Sequence, residues 1–351
     1  MGGLLEVTKS KVAIASASVL GAALLSTMGL FGGNQFPVEG KTILITGASD
    51  GMGRAAARQL AAKGANVVAV GRNVGRLEEV VAEMKAAAKN PQQQRFHYIS
   101  ADVSVHNYAA DVVADAIVWN NGRAPDTVWC VAGMATPGLY TQDDDALTTA
   151  RRQMDVNYWG AAEMAHAMLR EWTRPDAASP GGQPKHLVFT ASVLAFYPIV
   201  GYAGYSPTKC AVRGLADTLT QEMLLYPDHP VRVHVVYPGT ILSPGFEREQ
   251  TTKPAITKHL EKDDKEQTPD EVASKAIAGL EKGEHSVTVS FMGDLMRVAA
   301  LNGSPRNNWI MDTVMGCVVY CIWFFVLLVM HGDIVKHAKK FGHPSGYSKG
   351  A

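Results

Sequence analysis

Residues 41–70, KTILITGASDGMGRAAARQLAAKGANVVAV, restrict the folds open to this chain more than any other stretch. Positions 41–47 are a short apolar run rich in Ile and Thr that reads as a buried strand. It feeds Gly47-Ala-Ser-Asp-Gly51-Met-Gly53, and an Ala-rich helical stretch continues to Lys63, where Gly64 stops it. Residues 66–70, NVVAV, form the next strand. Strand, glycine turn, helix and strand within ~30 residues is the setting in which a G-x-x-x-G-x-G pattern binds a dinucleotide. Its glycines, with Ser49 and Asp50 in the loop, let backbone N–H groups approach a pyrophosphate at the positive end of the helix.

The second strand ends in Gly71-Arg72-Asn73. Folds that select NAD place an Asp or Glu near this point for the ribose 2′-hydroxyl. Here a glycine stands there, Arg72 follows, and Arg76 lies one helical turn further on. Two cations without a neighbouring carboxylate suit a 2′-phosphate, so the expected cofactor is NADP(H).

Residues 77–89 read as an amphipathic helix and 95–100 as a third strand, ending at Ala101-Asp102-Val103. Asp102 is placed either to accept from an adenine amino group or to cap a helix. Residues 127–131 (TVWCV) are a fourth strand running into Ala132-Gly133, and 143–172 read as a helix containing Asn157, unfavourable there without a job. After a Pro/Gly/Ser loop at 175–184 come strands at 186–190 and 231–237, the last delivering Pro238-Gly239-Thr240. Alternating strands and helices imply an α/β fold with a doubly wound parallel sheet.

Between the last two strands lies TASVLAFYPIVGYAGYSPTK, residues 190–209. Ser192 precedes Tyr205 by thirteen positions, and Lys209 follows the tyrosine at i+4. If Tyr205 opens a helix, Lys209 lies on the same face one turn along. A free phenol has a pKa of ~10. A nearby ammonium favours the phenolate, so Tyr205 is expected to have a lowered pKa and to exchange protons near neutrality. Ser192 can hold a carbonyl oxygen meanwhile.

Lys plus Arg equals Asp plus Glu, 33 each, which gives no footprint for nucleic acid. Cys130, Cys210, Cys317 and Cys321 form neither a disulfide framework nor a ligand spacing, and the last two are expected to pack within an apolar run. His97, His106, His166, His186 and His234 show no ligand spacing, so no metal is expected. Residues 261–266, EKDDKE, read as a mobile, solvated stretch near the substrate opening.

Two apolar segments flank the core. Residues 12–31 carry no charge and are long enough to span a bilayer, with a cleaved signal peptide as the rival reading. Residues 310–330 hold one charge, Asp312, and are followed by Asp333, Lys336, Lys339 and Lys340. The expected division is a tail with membrane anchor at 1–36, a catalytic domain at 37–290 and a membrane-associated segment with basic tail at 291–351, of which 291–301 could lie flat on the bilayer. Lys9, Lys11 and the C-terminal lysines all favour the cytoplasmic side.

With these residues in place, the region from Gly40 to Pro244 resembles the short-chain dehydrogenase/reductase family. The resemblance implies a Rossmann-type sheet and a Ser192–Tyr205–Lys209 triad. Tyr205 would protonate the developing alkoxide, Ser192 would position the carbonyl, and Lys209 would lower the tyrosine pKa and bind the nicotinamide ribose. Asn157 would hold a relay water, and Pro238-Gly239 would close on the nicotinamide. Homodimers are common in that family. One departure is Cys130-Val131 where the family has Asn-Asn before Ala132-Gly133.

Beyond the common core, YPGTILSPGFEREQTTK at 237–253, Met52, Gly133-Met134-Ala135 and SPRNNW at 304–309 are similar to the fungal reductases of 3-ketodihydrosphingosine. That likeness implies NADPH-dependent reduction of a long-chain sphingoid ketone to dihydrosphingosine, at the cytosolic face of the endoplasmic reticulum membrane. A membrane reductase of steroids or retinoids, and a non-catalytic NADP(H)-binding sensor or scaffold, share the same core residues.

Overall fold

The structure, a computed structural model, describes residues 33–177 and 182–344; the first apolar segment at 12–31 lies outside the described residues. Strands β1 (Thr42–Thr46), β2 (Asn66–Gly71), β3 (Phe96–Ser100), β4 (Thr127–Cys130), β5 (Lys185–Thr190), β6 (Val231–Tyr237) and β7 (Ser286–Thr288) form one sheet in the order 3-2-1-4-5-6-7. Every pairing is parallel. All residues of β1 and β4 are buried, as strands covered on both faces must be.

Strand alternation sends Ile43 and Ile45 to one face and Leu44 to the other. On the Ile43 side lie α1 (Gly51–Ala62) and α2 (Val74–Ala87); on the Leu44 side lies α3 (Tyr108–Trp119). The long helix expected at 143–172 is broken in two: α4 (Ala146–Met154) and α5 (Gly160–Trp172) are joined by a π turn, Asp155–Trp159. α5 packs on the Leu44 face beside α6 (Ser206–Glu222). α7 (Pro244–Thr252) and α8 (Ala255–Glu261) leave the sheet edge, and α9 (Pro269–Glu281) returns to pack against α1.

β7 is an addition to the six expected strands. At three residues, SVT, it is too short for a periodic signal, and its pairing with β6 is a tertiary decision. Cys317 and Cys321 also depart from expectation, being exposed rather than packed.

After β7 come α10 (Phe291–Ala299) and α11 (Trp309–Phe341). α11 is long and apolar enough to cross a membrane. The two helices are clamped by a buried bidentate pair, Arg297 Nη1 and Nη2 donating to the Asp312 carboxylate at 2.8 Å each. The backbone N–H groups of Asn307 and Asn308 donate to the same carboxylate. Such a pair attracts strongly but is costly to break on one side, because the partner is left as an uncompensated buried charge. Arg297→Met should therefore destabilise the protein by about 3–5 kcal/mol, and adding Asp312→Leu should restore most of that loss. Thermal unfolding of the two variants beside wild type measures both; an additive double variant would refute the coupling.

Candidate active site

The strand order reverses direction between β1 and β4, which opens a crevice at the C-terminal ends of the strands. A cavity of about 740 Å³ occupies it, lined by residues from the ends of β1, β2, β4, β5 and β6. Of the residues singled out in sequence, Gly47, Ser49, Asp50, Gly51, Gly53, Arg72, Arg76, Asp102, Val103, Gly133, Ser192, Tyr205, Lys209, Pro238 and Gly239 line it. Asn157 stands just behind this wall, and its contacts are described below.

The glycine turn is tight for internal reasons as well as for a ligand. Gly47 has φ +72°, and a Cβ there would lie 2.6 Å from the Ala132 backbone; one on Gly53 would lie 2.2 Å from the Gly47 carbonyl oxygen. The loop can thus fold against the end of β4 only without side chains at these positions. Asp50 caps α1, its Oδ1 accepting from the Gly51 N–H at 2.8 Å.

The two arginines are not free of carboxylates, contrary to the sequence expectation. Arg76 Nη1 donates to Asp50 Oδ2 at 2.9 Å, and Arg72 lies 3.7 Å from Asp102. These acids come from the ends of other strands, so no local window showed them. Asp102 is not a helix cap; its Oδ1 accepts from the N–H and hydroxyl of Ser104, a local turn. Both guanidinium groups are substantially exposed and retain further donors, so a 2′-phosphate at this edge of the cavity fits the residues present.

Across the cleft, Tyr205 caps the start of α6, and Lys209 is buried one turn along. Lys209 Nζ sits 5.7 Å from the Tyr205 ring centroid and donates to the Thr190 carbonyl at 3.0 Å. Ser192 lies close enough to the Tyr205 hydroxyl to work against the rise of its pKa, and its Oγ accepts from the Leu194 N–H at 3.2 Å. A Cβ on Gly133 would come within 3.3 Å of both Asn157 Oδ1 and Lys209 Nζ, so the bare backbone there keeps the cleft open to the lysine.

The expected electrostatics are reversed in this chain by itself. Burial raises the Tyr205 phenol above its ordinary value, and the Glu249 carboxylate adds to the effect; Ser192 works the other way. Burial pulls Lys209 down to about 8. The lysine is directed at the Thr190 carbonyl, and desolvation is the largest influence on the phenol. Tyr205 is accordingly held in its protonated form through the neutral range.

Asn157 lies in the π turn and is fully buried. Its Oδ1 accepts from the Met134 N–H at 2.8 Å, while its amide hydrogens go to the Met134 carbonyl at 2.9 Å and Thr208 Oγ1 at 3.0 Å. It thereby ties the loop after β4 to α6, next to Lys209. Thr208 escaped notice in the sequence; only its fold partner reveals it. Cys130, the departure at the end of β4, is buried in the apolar cluster with its Sγ 4.0 Å from the Ala161 carbonyl.

A polar network on the far side of Tyr205 was likewise invisible. Lys253 is almost fully buried between Glu249 (3.0 Å) and Glu261 (2.6 Å), and the Tyr202 hydroxyl donates to Glu249. The Tyr202 and Tyr205 rings are 5.8 Å apart. Glu249, Glu261 and Asp264 all line the cavity, so the 261–266 stretch contributes to the site instead of being merely solvated.

Lys209 carries a stability cost that can be measured. Its pKa is lower folded (about 8) than in its ordinary state (10.5), so at neutral pH the folded state disfavours the charged form. Between these values the unfolded chain binds more protons, and stability rises with pH. Lys209→Met should therefore raise stability by roughly 1–3 kcal/mol at pH 7. The difference from wild type should shrink from pH 8 towards 10.5. Chemical denaturation across that range checks it; a variant less stable than wild type would contradict the sign.

Residues 41–254 match the family model described as short chain dehydrogenase. The chain is 60% identical over 336 residues to a 3-ketodihydrosphingosine reductase of Neurospora crassa, covering 95% of this chain and 92% of that one. To a protein of the same description from Aspergillus fumigatus it is 46% identical, covering 90% and 89%. Among solved structures, a short-chain type dehydrogenase/reductase from Mycobacterium ulcerans aligns with a TM-score of 0.59 and 26% identity, over 72% of this chain and 89% of that one. A short-chain dehydrogenase from Sphingobium yanoikuyae in complex with NADPH aligns at 0.58 with 22% identity, over 72% and 88%, a likeness of fold. The glycine turn at the β1/β4 crevice, the Ser192–Tyr205–Lys209 grouping facing it and these matches agree: the chain is an oxidoreductase that belongs to the short-chain dehydrogenase/reductase family.

Proposed function

We propose that this protein reduces 3-ketodihydrosphingosine to dihydrosphingosine with NADPH, at the cytosolic face of the endoplasmic reticulum membrane. The observation that carries the reading is the placement of Ser192, Tyr205 and Lys209 in one cleft whose other wall is the glycine turn. The fungal relatives supply the substrate by name.

Bound NADPH would supply the hydride, with the glycine turn and Lys209 on its pyrophosphate and ribose and Arg72 and Arg76 beside its 2′-phosphate. The chain's own contribution is to place and protonate the ketone. Ser192 holds the carbonyl oxygen, and the Tyr205 hydroxyl delivers its proton to that oxygen as negative charge develops there. The phenol is protonated at neutral pH and so can donate, and the nearby Lys209 ammonium, buried and facing the same pocket, favours the phenolate that donation leaves. Asn157 keeps the β4 loop and α6 in register during this step.

The substrate carries an amine on the carbon next to its ketone, protonated near neutral pH. Beyond Tyr205 the wall offers Glu249, Glu261 and Asp264, set against the buried Lys253 and the more exposed Arg248. A cationic amino ketone matches this wall; the neutral carbon skeletons of steroids and retinoids offer it nothing to bind.

Two outcomes follow. Tyr205→Phe should lower kcat for 3-ketodihydrosphingosine by about 10²–10⁴-fold while leaving the NADPH dissociation constant within twofold of wild type, as read by NADPH fluorescence and stopped-flow turnover. Retained turnover would refute the proton-donor role. Glu249→Gln should raise KM for the amino ketone by about tenfold or more, and should change it little for the same ketone lacking the amine. An equal rise for both would show that Glu249 acts only through the fold.

A further inference from the structure

The less exposed positions of α11 recur at three- and four-residue intervals: Asp312, Gly316, Val319, Trp323, Val326, Met330, Ile334 and His337 share one face. That face follows the catalytic domain for most of its length. Arg297 grips Asp312, and Val298 lies 3.9 Å from the Cβ position of Gly316. Tyr197 meets Trp323 edge-on with ring centroids 5.6 Å apart. Met330 lines the catalytic cavity, and His337 is close enough to His259 of α8 for their charges to interact. From Asp312 to His337 is ~38 Å of helix. A helix crossing a bilayer clear of the domain could not make these contacts. The opposite face, with Val318, Ile322, Phe325 and Val329, is apolar and exposed.

The cavity that holds Ser192 and Tyr205 continues to Tyr197, Met296 of α10 and Met330 of α11. Methionine thioethers adapt to a flexible aliphatic partner better than branched side chains do. We propose that Tyr197, Met296 and Met330 form the subsite for the substrate's long alkyl chain. Trp323 positions Tyr197, and α11 is the wall along which the chain enters from lipid that covers its outer face. The inference rests on the long-chain ketone reading and assigns α11 a part in substrate binding beyond anchoring.

Each methylene removed from water is worth about a factor of four, so losing a few such contacts reads as at least tenfold. The test uses the full-length protein in phospholipid nanodiscs, with NADPH and two ketones: 3-ketodihydrosphingosine and its homologue cut to a short, water-soluble chain. Met330→Glu and Met296→Glu should each lower the ratio of kcat/KM, long over short, at least tenfold. Because a charge can also misplace the helix, wild-type protein is labelled in parallel with a long-chain ketone bearing a terminal diazirine. Label is expected on α10 and on α11 between Trp323 and Met330. An unchanged ratio in both variants, or label mapping away from these helices, overturns the subsite. Failure of wild type to reduce either ketone overturns the substrate reading instead, and the label still reports on the subsite.

Discussion

β1 and β4 are neighbours in the sheet, yet the chain leaves them towards opposite faces, so their C-terminal ends cannot be covered by either connection. The crevice that results is the condition for everything else in the molecule. It admits a close backbone approach only because Gly47 and Gly53 present no Cβ to Ala132 and to the loop itself. The same crevice receives α6 from the far side, with Tyr205 at its first turn and Lys209 one turn behind. A Cβ on Gly47 or Gly53 would collide with backbone and force the loop out of this position.

Within the crevice, polarity is sorted by position. Arginines stand at the edge by β2 and β3, a buried lysine in the middle, and carboxylates on the wall beyond Tyr205. The arginines and the far-wall Glu249 and Glu261 are ion-paired, while Lys209 and Tyr205 are not paired with any described residue. Lys209 rests on one backbone carbonyl in a dry site, and Tyr205 is raised by burial and by Glu249. Titratable groups perturbed in this way and gathered in one cleft mark it as the candidate site. Asn157 and Thr208 act differently: their hydrogen bonds tie the loop after β4 to the helix that carries Lys209.

The C-terminal helix is long and apolar enough to cross a membrane, but Arg297 and Asp312 bind its beginning to α10, and its heptad-spaced face runs past the cleft. Phe291 and Met292 of α10 are exposed nearby, extending the apolar surface.

Sequence alone determined the fold class, six strands of the sheet, the glycine turn and the grouping of Ser192, Tyr205 and Lys209. Each is written as a local pattern: a two-residue or 3.6-residue period, a turn chemistry, or an i+4 spacing. Only the tertiary structure decided what depends on residues far apart in the chain. It supplied β7, the π turn under Asn157, the acids opposite Arg72 and Arg76, and the Lys253 network. It also reversed the expected shift of Tyr205, because the spacing that places an ammonium near a phenol says nothing of how dry their surroundings are. For α11 the sequence showed apolarity, while the structure showed which face is turned to the protein, since packing partners and not composition select that face.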